Sequence, residues 1–329
     1  MRFLRIVGAL VVIALVIAGY AIFRVNQPYQ GFSGTIFVDF PRGTSTSAVA
    51  RQLAQAGVVS SRWEFLLARF VERNRKPQAG EYRFDRPASP IEVFDRLARG
   101  DIFYYELVVP EGKNMFDIAD MVAALGLFRA NQFLDAARNP AMIRDLDPRA
   151  PTLEGYLFPS TYRLNRHTTP EQLCHMMTAK FREVWRSLPH RADAHQTVTL
   201  ASLVEKEGKL SQERPVIAAV FENRLRTGMK LDCDPTTIYA ALLDGRYRGT
   251  IHRSDLDSDN AYNTYRHSGL PPGPIANPGV ASMNAVLVPA ESEALYFVLR
   301  PDGSGGHEFS QTIAAHQAAT ARYRRGLQR

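Results

Sequence analysis

Hydrophobic and polar positions change period several times along the chain, and each change marks an element. Ile6 to Phe23, "IVGALVVIALVIAGYAIF", runs 18 residues without a charge. A bilayer core takes about 20 apolar residues, so this stretch predicts a membrane-spanning helix. A cleaved signal peptide carries a shorter apolar run, about 7–15 residues, ending in an A-x-A-like site. Gly19-Tyr20-Ala21 is a poor version of that site, so the segment is read as an uncleaved anchor. Arg24 to Gly34 turns polar and is read as a linker. "TIFVDF" then reads as a strand, "PRGTSTS" makes a turn and helix cap, and "AVARQLAQAG" is a helix that Gly57 closes. A helix from about Arg62 to Arg73, a strand "GEYRF" and a helix "PIEVFDRLARG" come next.

The strand–turn–helix pattern returns. With a constant offset of 69, Pro41 matches Pro110, Gly43 matches Gly112, Val49 matches Ile118, Ala50 matches Ala119 and Gly57 matches Gly126. From Pro151 the pattern changes to helices joined by shaped loops. Gly269 to Gly279 holds four prolines and three glycines, which bars it from a helix or a central strand. The expected domains are an anchor over 1–24, a linker over 25–34, a small module over 35–150 with a second strand–turn–helix copy, and a larger domain over 151–329.

Composition narrows the picture. At 329 residues the chain exceeds what one core usually serves. The net charge of +7 is modest, and the basic end "ARYRRGLQR" is read as a solvated helix end. No zinc-finger spacing, Walker loop or RNA-binding signature occurs, so no nucleic-acid partner is expected. Cys174 and Cys233 make no disulfide framework and lack metal-site spacing; two buried free thiols are expected. Arg2 and Arg5 ahead of the apolar run predict a cytoplasmic N-terminus, with everything after Phe23 on the far side of the membrane.

Candidate chemistry centres on "TLASLVEKEGKL", Thr199 to Leu210. At about 100° per residue, a helix puts Leu200, Leu203, Val204 and Glu207 on one stripe. Glu205 points away from it, solvated or hydrogen-bonded at a rim. A carboxyl on the apolar side loses hydration, its pKa rises, and it can then donate a proton near neutral pH. A second reading stands beside this one: Glu207, just before Gly208, emerges into solvent or pairs with Arg214 or Arg224. Ser202 is read as a small packing residue, and His307 in "GSGGHEF" as a surface histidine. The histidines form no helical H-x-x-x-H pair, and no G-x-S-x-G elbow occurs.

Several motifs in one order carry a resemblance. "LASLVEKEG", Glu213-Arg214, "VFENRL", "DPTTIY", "AYNTY", "GLPPGPIANPG" and "YFV…GGHEFS", with "EGYLFPSTY" and "AGEYRF", are similar to the YceG-like family, the MltG-type endolytic murein transglycosylases. The resemblance runs from the anchor to about His316. It implies an α+β protein: an N-terminal transmembrane helix, a small LysM-like α/β module and a larger mixed α+β catalytic domain. It also implies a single-pass protein of the bacterial inner membrane with its catalytic domain in the periplasm. The substrate would be nascent peptidoglycan glycan strands, with no cofactor or metal. The lipid bilayer would be met through residues 6–23, and a cell-wall synthase is a plausible partner.

The family's catalytic glutamate falls on Glu207, acting as acid and then base to leave 1,6-anhydroMurNAc ends. Candidates for contacting the glycan are Asn223, Asp234, Tyr262, Asn263 and Tyr265, with Glu205 beside them. Glu154, Ser202, Glu213 and Arg214 form a second tier, read first as ion pairs, caps and packing. Cys233 departs from the family pattern, where a polar residue is more usual. A non-catalytic wall-binding scaffold is the alternative from another class.

Overall fold

The structure is a computed structural model that describes residues 2–72, 74–189 and 193–326. Arg73 and the last three residues of the basic end, both part of expected helices, lie outside these. The chain divides into two compact units, Met1–Tyr105 and Glu106–Arg329.

In the first unit, α1 runs from Arg2 to Asn26. Among the described residues one helix is long and apolar enough to cross a membrane, Arg5–Asn26. The helix overruns the expected linker start by two residues, because Val25 is buried where α1 packs against the rest of its unit. β1 (Ile36–Phe40) pairs antiparallel with β2 (Gly80–Phe84), Val38 opposite Tyr82. Between and after them lie α2 (Thr46–Gln55), α3 (Arg62–Val71) and α4 (Pro90–Arg99). Each helix starts at a serine cap: Ser45, Ser61 and Ser89. Phe40, Leu53, Phe65, Tyr82, Phe94 and Leu97 fill the core beneath the two strands.

The second unit holds the repeat's second copy and everything after it. β3 (Tyr105–Val108) pairs with β4 (Thr161–Leu164). Between them come α5 (Met115–Ala124) and α6 (Ala130–Ala137). The offset of 69 carries both ends of α2 onto both ends of α5, and the cap Ser45 onto the cap Asn114. The turn glycines have φ of +89° at Gly43 and +75° at Gly112, a conformation that penalises any side chain.

The division at Tyr105/Glu106 does not coincide with the boundary expected at 150/151. The second copy is tied to later parts of the chain. Met115 N–H donates to Glu154, Gly112 N–H donates to the Asn277 carbonyl, and Phe116 packs edge-on to Tyr239.

The remaining elements are α7 (Pro170–Ser187), α8 (Ala194–Glu207), α9 (Arg214–Arg226), α10 (Asp234–Leu243), α11 (Arg253–Leu256), α12 (Val280–Leu287), β5 (Tyr296–Leu299), β6 (His307–Ser310) and α13 (Ile313–Gly326). β5 and β6 form an antiparallel hairpin. α8 is the central element, with Leu200, Leu203 and Val204 packed among residues of α9, α10 and α12. The proline-rich loop is held to it by Ser202, whose Oγ accepts from Ile275 N–H at 3.0 Å. Gly155 shows why the loop demands a glycine beside it: a Cβ there would sit 2.4 Å from Pro274, at φ +86°.

Candidate active site

α8 ends at Glu207 because Gly208 comes next; its N–H still bonds the Val204 carbonyl, and a Cβ on it would crowd that oxygen at 3.0 Å. The chain therefore turns away and leaves Glu207 lining a cleft of about 360 Å³. One wall comes from α9, with Phe221 and Arg224. A second comes from Leu231 to Asp234, entering α10. The hairpin supplies Tyr296 and Phe297, and α13 supplies Ile313 and His316.

Electrostatics at this point are set by burial. Burial raises the Glu207 carboxyl above the usual glutamate range; Asp234 adds to the rise, while the Cys233 thiol, His307 and Arg224 oppose it. Cys233 Sγ–H donates to Glu207 Oε1 at 3.3 Å. Burial, and then Glu207 itself, pushes that thiol well above its ordinary value, so it stays a neutral donor. Both cysteines are buried and unpaired.

Around the acid the polar groups are pre-placed. Tyr265 O–H donates to Asp234 Oδ1 at 2.6 Å. Arg224 donates to the carbonyls of Leu295 at 2.6 Å and Leu231 at 2.7 Å, and lies over the Tyr296 ring. His316 stacks on Tyr296 at 5.2 Å between centroids; burial, then Arg224, lowers its pKa and keeps it neutral.

Of the residues singled out from the sequence, the cleft brings together Glu207, Asp234 and Tyr265. The others have structural work. Glu205 is not solvated: its side chain is 5% exposed and accepts from Arg214 at 2.8 Å, Gly279 N–H at 3.0 Å and Ser282 at 2.8 Å. Three fixed donors hold it in place on the far side of the helix end. Asn223 donates to the carbonyls of Ser292 and Ala294 and so holds the strand into β5. Asn263 is fully buried and donates to the carbonyls of Leu256 and Ser258. Tyr262 packs on Tyr239.

The second tier divides the same way. Ser202 donates to the Thr199 carbonyl while holding Ile275. Glu154 accepts from Met115 N–H and Asn277, and burial pushes its pKa up to about 8. Glu213 pairs with His307 Nδ1 at 2.8 Å and accepts from its N–H. His307 is therefore buried rather than on the surface, because a residue 94 positions earlier covers it. Arg214 spans Glu205 and the Gly208 carbonyl.

Sequence reasoning missed Tyr296, His316 and Asp232 as cleft residues. Tyr296 sat in a quoted motif, which was a usable signal. Asp232 adopts φ +47°, a left-handed conformation that no sequence pattern announced.

Two further observations bound the site. A larger open depression of about 570 Å³ lies in the first unit, but its carboxylates Asp85 and Asp101 are paired with Arg83 and Arg96. Among the described residues, no three His, Cys, Asp or Glu side chains are grouped to hold a metal ion.

Comparison with known proteins bears on the same region. The family model of the YceG-like family matches residues 38–322. An endolytic murein transglycosylase of Bacillus subtilis is 31% identical over 310 residues, covering 88% of this chain and 85% of that protein. One from Streptococcus pneumoniae strain R6 is 29% identical over 80% of this chain, which spans 54% of that longer protein. A crystal structure of a YceG-like protein from Listeria monocytogenes superposes with a TM-score of 0.55 at 31% identity, covering 86% of this chain and 98% of that one.

Proposed function

The chain belongs to the YceG-like family, and from that premise we propose that it is a membrane-anchored endolytic murein transglycosylase in which Glu207 is acid and then base. The observation that carries this reading is the Glu207 carboxyl: half-buried, raised in pKa, and open to a cleft lined by aromatic rings and fixed polar groups. A common glycosidase needs two carboxyls flanking the scissile bond. Here the substrate's own hydroxyl is the nucleophile, so a second protein carboxyl is not needed for attack.

Protonated Glu207 gives its proton to the oxygen between N-acetylmuramic acid and N-acetylglucosamine, and the C1–O bond breaks. The resulting carboxylate takes the proton of the muramic acid 6-hydroxyl as that oxygen bonds to C1. The product ends in a 1,6-anhydro ring, no water enters, and Glu207 is protonated again. A carboxyl tuned upward suits both halves of this cycle. Asp234 and the Tyr265 hydroxyl supply negative charge and dipole beside the oxocarbenium-like centre.

The span over residues 6–23, with Arg2 and Arg5 ahead of it, supports an N-terminus in the cytoplasm and a wall-side location for the chain that follows the span. The strand–helix–helix–strand arrangement of the first unit supports its reading as a LysM-like glycan-holding module, and tethering presents strands near their site of synthesis.

The test is a digest of purified glycan strands with the full chain in detergent, read by mass spectrometry. Fragments ending in anhydro rings, one water lighter than reducing ends, are expected. Reducing ends would replace this mechanism with hydrolysis. Intact strands that still co-sediment with the protein would favour a scaffold.

A further inference from the structure

We propose that the outward face of α3 lies in the headgroup–acyl boundary of the bilayer that α1 spans, with Trp63 as its interfacial anchor; this rests on the reading of α1 as a membrane span. Trp63 and Phe70 are seven residues apart on one face of α3 and are 64% and 60% exposed; Val71 beside them is 54% exposed. The rest of that helix behaves as a core helix, with Phe65 and Ala68 fully buried. Large exposed aromatics on an otherwise packed helix mark a surface made for an apolar neighbour.

The neighbour is set by continuity. α1 packs on α3 within one unit, and Arg24, at the outer end of the apolar run, is ion-paired to Glu64. Glu64 is the residue after Trp63. The aromatic face therefore begins where the span ends, at the level where indole rings concentrate in membrane proteins.

Charge fits the same occupant. The Arg62 guanidinium lies 4.6 Å over the Trp63 ring, and Arg69 is exposed next to Phe70 at the other end of the helix. Aromatic and arginine side chains interleaved on one face pair the acyl boundary with anionic headgroups. Tyr29, 37% exposed and bridged to Ala88 shortly after α1 ends, adds a second amphipathic ring near the exit.

Trp63 and Trp185 are the only tryptophans, so a Trp185→Phe full-length protein reports on Trp63 alone. It is reconstituted into vesicles of phosphatidylglycerol and phosphatidylethanolamine, with acyl chains brominated near the carbonyl or left unbrominated. An apolar face that sits about 5–10 Å into the boundary predicts loss of at least about half the emission to the bromines, and weak quenching by aqueous acrylamide. Should Trp185→Phe fold poorly, the difference between wild type and Trp63→Phe isolates the same signal.

Alkaline carbonate extraction of the same vesicles separates the failures. A protein that stays in the bilayer while acrylamide quenches Trp63 freely overturns this inference and leaves the anchor standing. A retained protein whose Trp63 is shielded from both quenchers also overturns it, in favour of a protein partner. A protein released by carbonate removes the anchor, and this inference with it.

Discussion

The two sides of the last turn of α8 carry the same functional group in opposite circumstances. On one side, Glu205 is ringed by Arg214, Gly279 N–H and Ser282, every donor supplied by the protein. On the other, Glu207 has one weak donor, the Cys233 thiol, and an open cleft. The lesson is that burial alone does not make an acid useful. A carboxyl group with three strong donors is spent on holding a loop. A carboxyl with one weak donor keeps a proton to give.

The sharpest way to break the comparison is Glu207→Gln. It keeps shape and volume but removes the proton, so cleavage of glycan strands falls by about 10²–10⁴-fold or more. Thermal unfolding should stay close to wild type, since no strong partner is lost. Retained cleavage would transfer the role to another group.

Glu205→Ala is expected to act through stability. Removing one member of a buried pair leaves Arg214 with only the longer contact to Glu111 at 3.6 Å and the Gly208 carbonyl, and costs up to about 3–5 kcal/mol. Chemical denaturation measures this; a change under about 1 kcal/mol would mean the pair is effectively solvated.

Glu154 gives a pH signature. Folding raises its pKa from 4.5 to about 8, so the native state binds the proton better. The contribution of Glu154 to stability is then fullest below about pH 4.5 and falls as pH rises toward 8, by at most about 1.4 kcal/mol per pH unit. Unfolding curves across that window should flatten in Glu154→Gln relative to wild type.

The smallest effect belongs to Cys233→Ala. The thiol holds the Glu207 pKa down, so its loss raises that pKa and moves the alkaline limb of kcat/KM to higher pH. Activity needs the protonated acid, so the variant outperforms wild type on that limb relative to its own maximum. A limb that stays put, or moves to lower pH, would contradict the contact.

Glu207 was legible in the sequence because helical period alone assigns a face, and Leu200, Leu203 and Val204 name that face as apolar. The duplicated strand–turn–helix was legible because its turn glycines answer a local requirement for positive φ. Features that stayed hidden depended on partners brought from far along the chain. Glu205 read as a rim residue because Gly279 and Ser282 arrive from the other side of the proline-rich loop. His307 read as exposed because nothing near it in sequence announces Glu213. The second repeat joined the larger unit because of Glu154 and Asn277, neither of which lies within it. Asn223 and Asn263 looked like sugar-binding amides, yet both are spent on backbone carbonyls that only the folded loops present.

The most direct measurement is a titration of the Glu207 carboxyl itself. Carbon NMR of protein labelled at glutamate side-chain carboxyls, with the resonance assigned by its absence in Glu207→Gln, tracks one group across pH. A midpoint clearly above the ordinary glutamate value of 4.5 is expected. A midpoint at or below that value would describe a solvated anion, and the proton cycle built on it would not stand.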